Sequence, residues 1–290
     1  FQCLHDQFAG IINGTCNFIL TEMREKGRDF DDVLREAQAL GYAESDPTFD
    51  IEGVDAAHKL TILASIAFGI PLQFDKVHVE GISQVTAMDV SYAEALGYRI
   101  KLLGMARRSA AGVELRVHPT LIPERRLIAN VNGVMNAVLV KGDAVGATLY
   151  YGAGAGAEPT ASSVVADIVD VVRTLTSDPE NRVPHLAFQP GAIADLPILP
   201  IGDVETAYYL RLSAHDQPGV LADVTRILAH HGISIEAILQ KEAPKGESHL
   251  PVIMLTHKIM ERDLNKAIAE IEALPTIGGA VKRIRMETLG

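Results

Sequence analysis

The chain has 290 residues, 48% of them hydrophobic, with 26 Lys+Arg against 37 Asp+Glu and a formal net charge of −11. At roughly 100–200 residues per domain, that length predicts one large domain or two unequal ones with ample chain for a core, which excludes disorder as the main theme. The acidic balance, without any basic stripe interleaved with aromatics, argues against nucleic acid or an anionic membrane as a partner.

Cys3 and Cys16 are the two cysteines, a usage that fits a reducing compartment and predicts a cytoplasmic protein rather than a disulfide-built secreted one. The most apolar stretch, 60–74, is interrupted by Gly69 and Pro71 and falls short of the ~20 residues needed to cross a bilayer. No signal peptide opens the sequence. It begins Phe1-Gln2-Cys3 rather than with Met, so the expectation is a chain cut or processed from a longer product.

In chain order, helical periodicity is expected at about 14–26, 30–40, 51–68, 85–96 and 160–175, and strand-like runs at 77–82, 100–107, 113–121, 134–139 and 147–151. This predicts an α+β region with one sizeable sheet. A connector follows near 176–204, where Ser177-Asp178-Pro179-Glu180-Asn181 and the proline-dotted 189–200 lie, and the boundary is placed near Pro200. The domains expected are therefore 1–199 and 200–290. Beyond the boundary come a strand (207–214), a helix (219–231), two strands (234–241 and 250–257), a helix (262–273) and a strand (281–288), the βαββαβ ferredoxin-like plan. In the first of these helices Val220, Leu221, Val224, Ile227 and Leu228 repeat at the 3.6 period, and Gly232 stands where a C′ glycine belongs.

Residues 41–59 read Gly-Tyr-Ala-Glu-Ser-Asp-Pro-Thr-Phe-Asp-Ile-Glu-Gly-Val-Asp-Ala-Ala-His-Lys, with five acids on the approach to one helix. Asp50 is suited to an N-cap and Glu52 to the first turn. Asp55 and Lys59 are four apart, on the stripe that continues through Ile62 and Ile66. Because 60–68 is apolar nearly all round, the helix is expected to be buried and its charged first half to look into an interior cleft, where Lys59 beside carboxylates could be tuned for proton transfer. An exposed i,i+4 ion pair worth ~0.3–0.5 kcal/mol explains the same spacing.

Two further segments stand out. Gly152-Ala-Gly-Ala-Gly156-Ala-Glu-Pro-Thr160 imitates a dinucleotide fingerprint, but no parallel strand and acid follow it, so a Rossmann reading is rejected. Its glycines still leave amides free to approach a ligand at a helix N-terminus, or form a plain flexible loop. Gly10-Ile11-Ile12-Asn13-Gly14-Thr15-Cys16-Asn17 turns into a helix with Asn13 or Thr15 as cap, and Thr15 could offer its hydroxyl to a polar ligand. There is no H-E-x-x-H, G-x-S-x-G or phosphate loop, and His230 and His231 are expected on different helix faces. No metal site is expected.

The 10–17 segment, the 41–59 segment and Gly152–Gly156 with Pro159-Thr160-Ala161, in this order, resemble the catalytic part of homoserine dehydrogenase. His215-Asp216-Gln217-Pro218-Gly219-Val220-Leu221 and the segment from His230 to Ile235 resemble an ACT regulatory domain. The resemblance covers nearly the whole chain. It implies a mixed-sheet α+β catalytic domain followed by the ACT fold, and an NADP- or NAD-dependent oxidoreductase interconverting L-homoserine and L-aspartate 4-semialdehyde, on the route to threonine, isoleucine and methionine. By resemblance, Lys59 passes the proton to or from the substrate oxygen with Asp55 beside it. Glu44 and Asp55 bind the amino acid, and Thr15, Tyr42 and Asp50 line its pocket. Gly41, Gly154 and Gly156 contact the cofactor through their backbone. Threonine is the expected effector, at Asp216, Gly219, Val220 and Leu221, and a homo-oligomer is expected.

The family's N-terminal dinucleotide-binding domain, with a second active-site lysine and the ligands of a monovalent cation, has no counterpart in 1–290. These residues alone are therefore expected to bind NADP poorly and to turn over little. The alternative is a catalytically silent amino-acid-sensing and dimerising module.

Overall fold

The computed structural model describes residues 5–175, 184, 188–240 and 249–289. The first region contributes strands β1 (His5–Ile11), β2 (His78–Val79), β3 (Tyr98–Ser109), β4 (Gly112–Pro123), β5 (Met135–Gly142) and β6 (Gly146–Ala153). Its helices are α1 (Gly14–Lys26), α2 (Phe30–Ala39), α3 (Thr48–Ile51), α4 (Val54–Phe68), α5 (Ala87–Ala95) and α6 (Ala157–Leu175). The second region runs β7 (Glu205–His215), α7 (Val220–His230), β8 (Ile235–Gln240), β9 (His249–Thr256), the short β10 (Ile259–Met260), α8 (Glu261–Glu272) and β11 (Lys282–Met286). This is the α+β arrangement with a terminal βαββαβ unit that the periodicity predicts.

All the long strands join one mixed sheet in the order β6-β5-β1-β3-β4-β11-β7-β9-β8. Strands β3 and β4 form a twelve-pair hairpin, and β4 is buried along its whole length, its alternating Glu114, Arg116, His118 and Thr120 included. The two regions meet where β11 pairs in parallel with β4, Arg285 opposite Thr120 and Met286 opposite Leu121. One hydrophobic cluster is built from residues 208–281 alone, around Leu210, Val224, Leu228, Met254 and Leu264. The larger cluster belongs mostly to the first region but takes in Tyr209, Ile253, Leu255, Ile284 and Met286.

Three expectations are corrected. Strand β1, for which the local pattern predicts no strand, lies inside the sheet between β3 and β5; His-Asp-Gln-Phe-Ala shows no period-2 apolar alternation, and its pairing is supplied by two strands far along the chain. The helix expected at 51–68 is two helices, because Gly53 takes the left-handed conformation (φ +80) and breaks it. Asp50 is therefore not the N-cap of α4, and Glu52 caps the end of α3. Helix α4 is also not buried all round: Leu60, Ala64 and Ser65 are buried, whereas Ile62 and Ile66 are 50% and 41% exposed.

The stretch 177–181 lies outside the described residues. Further on, the connector is pinned to the sheet: Leu199 donates its amide to the Val113 carbonyl, and Val113 donates to that of Pro197. The junction of the two regions is charged, with Arg285 and Glu261 at its buried centre. Arg285, 1% exposed, donates to both oxygens of Glu261 (2.7 and 2.6 Å) and both of Glu80 (2.8 and 2.9 Å). Burial alone would raise the Glu80 carboxyl, but hydrogen bonds from His78 and Arg285 hold it well below the usual carboxylate range. Beside it, Arg211 donates to both oxygens of Asp89.

Candidate functional site

Helix α1 starts at the N-cap Asn13, whose side-chain oxygen accepts from the Cys16 amide (2.9 Å). Its other end does more. Nδ2 of Asn13 donates to Asp50 Oδ1 (2.8 Å) and to Asp55 Oδ2 (2.9 Å), so one buried amide spans two carboxylates from α3 and α4. The buried Cys16 thiol donates to the Asp50 carbonyl (3.2 Å); burial first, then Asp50, Asp55 and Glu52, push this thiol well up. The break at Gly53 is what separates Asp50 from Asp55 in chain direction while leaving both within reach of Asn13.

On α4, Lys59 donates from Nζ to Asp55 Oδ2 (2.7 Å) and to the carbonyl of Ile12 (3.2 Å). Its side chain is 51% exposed and that of Asp55 20%. The pair thus sits at the mouth of a cleft, not in the interior that an all-apolar α4 predicted. Thr15 donates its hydroxyl to the Tyr42 carbonyl (2.6 Å), tying α1 to the turn after α2, where Gly41 is left-handed (φ +76).

These groups line one cleft of about 470 Å³ together with Leu40, Val134, Asn136 and the Gly154–Ala155–Gly156 loop, within the volume range usual for small-molecule sites. The loop approaches tightly: a Cβ on Gly154 would lie 2.3 Å from Asn136 Oδ1. Of the residues singled out, Thr15, Gly41, Tyr42, Asp50, Asp55, Lys59, Gly154 and Gly156 all line this cleft. Glu44 does not line it; it is exposed, and its carbonyl accepts from the side chain of Gln38. The sequence marks Asn13 only as a cap, and Val134 and Asn136 only as part of a strand-like run. The cleft lining holds two carboxylates against one ammonium, an excess that suits a substrate bearing an ammonium group.

Behind the cleft wall, buried Lys101 donates to the Val131 carbonyl (2.6 Å), Asn17 Oδ1 (3.0 Å) and Asn132 Oδ1 (3.3 Å). Burial, then the nearby Arg24 charge, lowers it to about 7. Asn17 in turn donates to the carbonyls of Val131 and Met135, so this node fixes the loop that carries Val134.

In the second region α7 begins after Gly219 (φ +97) and ends before Gly232 (φ +71). Asp216 and Gly219 are exposed and Leu221 half-buried, whereas the Val220 side chain is buried in the core. Pro218 precedes the helix, which starts at Val220. His230 and His231 do not point apart as expected: their rings are 5.5 Å apart, and His231 meets Glu270 at 2.8 Å.

A profile of the homoserine dehydrogenase family matches residues 5–169, and one of the ACT domain matches residues 208–276. The homoserine dehydrogenase of Pseudomonas aeruginosa is 72% identical over 281 residues, 97% of this chain and 65% of that protein; that of Neisseria gonorrhoeae is 57% identical, over 97% and 64%. Among solved structures, a homoserine dehydrogenase from Thiobacillus denitrificans superposes with a TM-score of 0.94 at 69% identity, covering 99% of this chain and 65% of that one. One from S. aureus does so with a TM-score of 0.72 at 31% identity, covering 98% and 66%. The chain thus spans about two thirds of the length of the relatives it matches. With its cleft built from the three segments that first suggested the resemblance, this chain belongs to the homoserine dehydrogenase family and carries an ACT domain in its C-terminal third.

Proposed function

We propose that this chain is the substrate-binding, dimerising and regulatory portion of an NADP- or NAD-dependent homoserine dehydrogenase, interconverting L-homoserine and L-aspartate 4-semialdehyde. The observation that carries the reading is Lys59 paired with Asp55 at the mouth of a cleft that also holds Asp50, Asn13 and the glycine loop. An ammonium has three donors, and Lys59 spends two of them on Asp55 and Ile12. The third is free for a substrate oxygen. Donated there, it stabilises the alkoxide that develops as an aldehyde is reduced; in the reverse direction Lys59 receives the proton. Asp50 and Asp55, both fixed by the Asn13 amide, attract the substrate's ammonium.

The reaction implies a nicotinamide cofactor, and the rim of the cleft fits one. Nothing lies within 4 Å of a Cβ built on Gly41, and the start of α6 beside Gly156 favours a negative group. When bound, the nicotinamide supplies or takes the hydride at the carbonyl carbon. Gly41, Gly154 and Gly156 are assigned backbone contacts to it, and Glu44 remains assigned to the amino acid.

Threonine is assigned to the loop before α7, with Asp216 at hand for its ammonium and the backbone of Gly219, Val220 and Leu221 for its carboxylate. We place the domain division near Pro200. A homo-oligomer is supported by surface left uncovered among the described residues: Val164, Val165, Ile168, Val172 and Leu175 of α6 are 52–69% exposed, more apolar area than a lone helix normally leaves open. No helix among the described residues is long and apolar enough to cross a membrane, which accords with a cytoplasmic enzyme. Relatives named as dehydrogenases over 97% of the chain do not favour the silent sensing module.

The test is a chimera in which residues 1–290 replace the matching two thirds of the Pseudomonas aeruginosa enzyme, assayed by absorbance of NADPH formed from L-homoserine. Turnover that disappears with Lys59→Ala is the expected result. A folded chimera without homoserine-dependent NADPH formation, or a chimera whose turnover survives Lys59→Ala, would overturn the assignment.

A further inference from the structure

A second cavity, of about 530 Å³, lies at the junction of the two regions. One wall is the turn between α3 and α4 with the segment after β2, and the other is the start of β11. Four charged side chains line it besides Lys282, and most are already committed. Glu80 is held by Arg285 and His78, Asp89 by Arg211, and Arg283 by Glu261 and Asn265. Two charges remain. The Glu52 carboxylate takes no hydrogen bond among the described residues, and it lies over Gly81, where a Cβ would come within 2.4 Å of it. Lys282 donates only to the neutral side chain of Gln84 (3.2 Å). Between them the walls are aliphatic, formed by Val54, Val79, Val85 and Ile284.

An uncommitted anion and an uncommitted cation facing one apolar cavity select a small zwitterion with an aliphatic body. We propose that this junction cavity binds a free aliphatic α-amino acid, its ammonium on Glu52, its carboxylate on Lys282 and its side chain against the valines and Ile284. The site is separate from the α7 loop assigned to the effector, and it does not depend on that assignment. It is also next to the catalytic cleft: Val54 lines the junction cavity while its neighbour Asp55 lines the cleft. Gly53 between them is packed so closely that a Cβ would meet Val117 and Val79 at 3.2 and 3.3 Å. An occupant therefore braces the turn that presents Asp50 and Asp55.

The experiment is calorimetric titration of residues 1–290 with three probes: L-valine, L-valinamide, which lacks the carboxylate, and isovalerate, which lacks the ammonium. L-Valine is expected to bind with a Kd near ~1 mM, and both analogues at least about tenfold more weakly. Glu52→Gln, Lys282→Met and the cavity-filling Gln84→Trp, an exposed position, should each weaken valine about tenfold or more, whereas Asp216→Asn should leave it unchanged. Amide exchange across residues 51–56 should slow with valine bound. The proposal is overturned if valine does not bind at roughly 10 mM, if the three probes bind alike, or if Asp216→Asn alone abolishes binding. Unchanged exchange at 51–56 overturns the link to the cleft.

Discussion

Replacing Arg285 with Met tests whether the charged junction holds the ACT region to the catalytic region. The guanidinium makes four charge-assisted hydrogen bonds, two to each of Glu80 and Glu261, and is 1% exposed. Met fills the space of the stem but leaves two carboxylates without their main partner. Removing one member of a buried ionic cluster costs about 3–5 kcal/mol when the groups left behind have lost their water; that holds for Glu261, 1% exposed, but only in part for Glu80, 34% exposed. The lower end applies here, since Glu261 keeps Tyr208 (3.1 Å) and Arg283 (3.3 Å), and Glu80 keeps His78 (2.9 Å). Urea unfolding at pH 7 followed by circular dichroism reads this directly, and the chain, which has no Trp, offers tyrosine fluorescence as a second probe. The triple variant Glu80→Gln, Arg285→Met, Glu261→Gln should recover part of the loss, since both stranded carboxylates are gone and the remaining cation, Arg283, keeps Asn265 and is 28% exposed to water. The pH dependence has a definite sign. The folded Glu80 carboxyl lies well below its ordinary 4.5, so its contribution is complete above that pH and is lost as pH falls below it. The stability gap between wild type and Glu80→Gln should accordingly narrow between pH 5 and about pH 3. A loss below about 1 kcal/mol for Arg285→Met would mean the cluster behaves like a surface pair, and the reasoning would fail.

Lys59→Ala in the chimera should lower kcat by about 100-fold or more with a smaller change in KM, as expected for a proton donor in the transition state; a KM effect alone would reduce Lys59 to a binding residue. Asn13→Ala frees Asp50 and Asp55 from their shared donor, which should raise the KM for homoserine and cost about 1–3 kcal/mol in urea unfolding. An unaltered KM would show that the two carboxylates keep their places without it. For Lys101, lowered to about 7 from an ordinary 10.5, the unfolded chain binds the proton more readily than the folded one between those values. Stability relative to Lys101→Met should therefore rise with pH from about 7 to 10, at less than ~1.4 kcal/mol per pH unit because three oxygen acceptors still favour the ammonium. A flat difference would locate the ammonium in a wetter site than the structure shows.

How far the sequence reaches can be judged element by element. The α7 segment announces itself, because its apolar face repeats every 3.6 residues and Gly232 ends it. The βαββαβ order of the second region follows from equally local patterns. The cleft residues Thr15, Gly41, Tyr42, Asp50, Asp55, Lys59, Gly154 and Gly156 were also legible, through motifs close together in sequence. What the sequence could not convey depends on groups far apart in the chain. Strand β1 has little propensity of its own and exists because β3 and β5 satisfy its backbone on both sides. The helix break at Gly53 is a left-handed backbone turn packed against Val117 and Val79, neighbours that only the fold brings there. The exposure of Ile62 and Ile66 follows from which face of α4 meets β3 and β4, which its all-apolar composition leaves open. Asn13 bridging two aspartates and Arg285 joining the two regions each require partners that only the closed sheet brings together. Local periodicity and capping set the elements; burial, pairing and the cost of unpartnered charge decided how they meet.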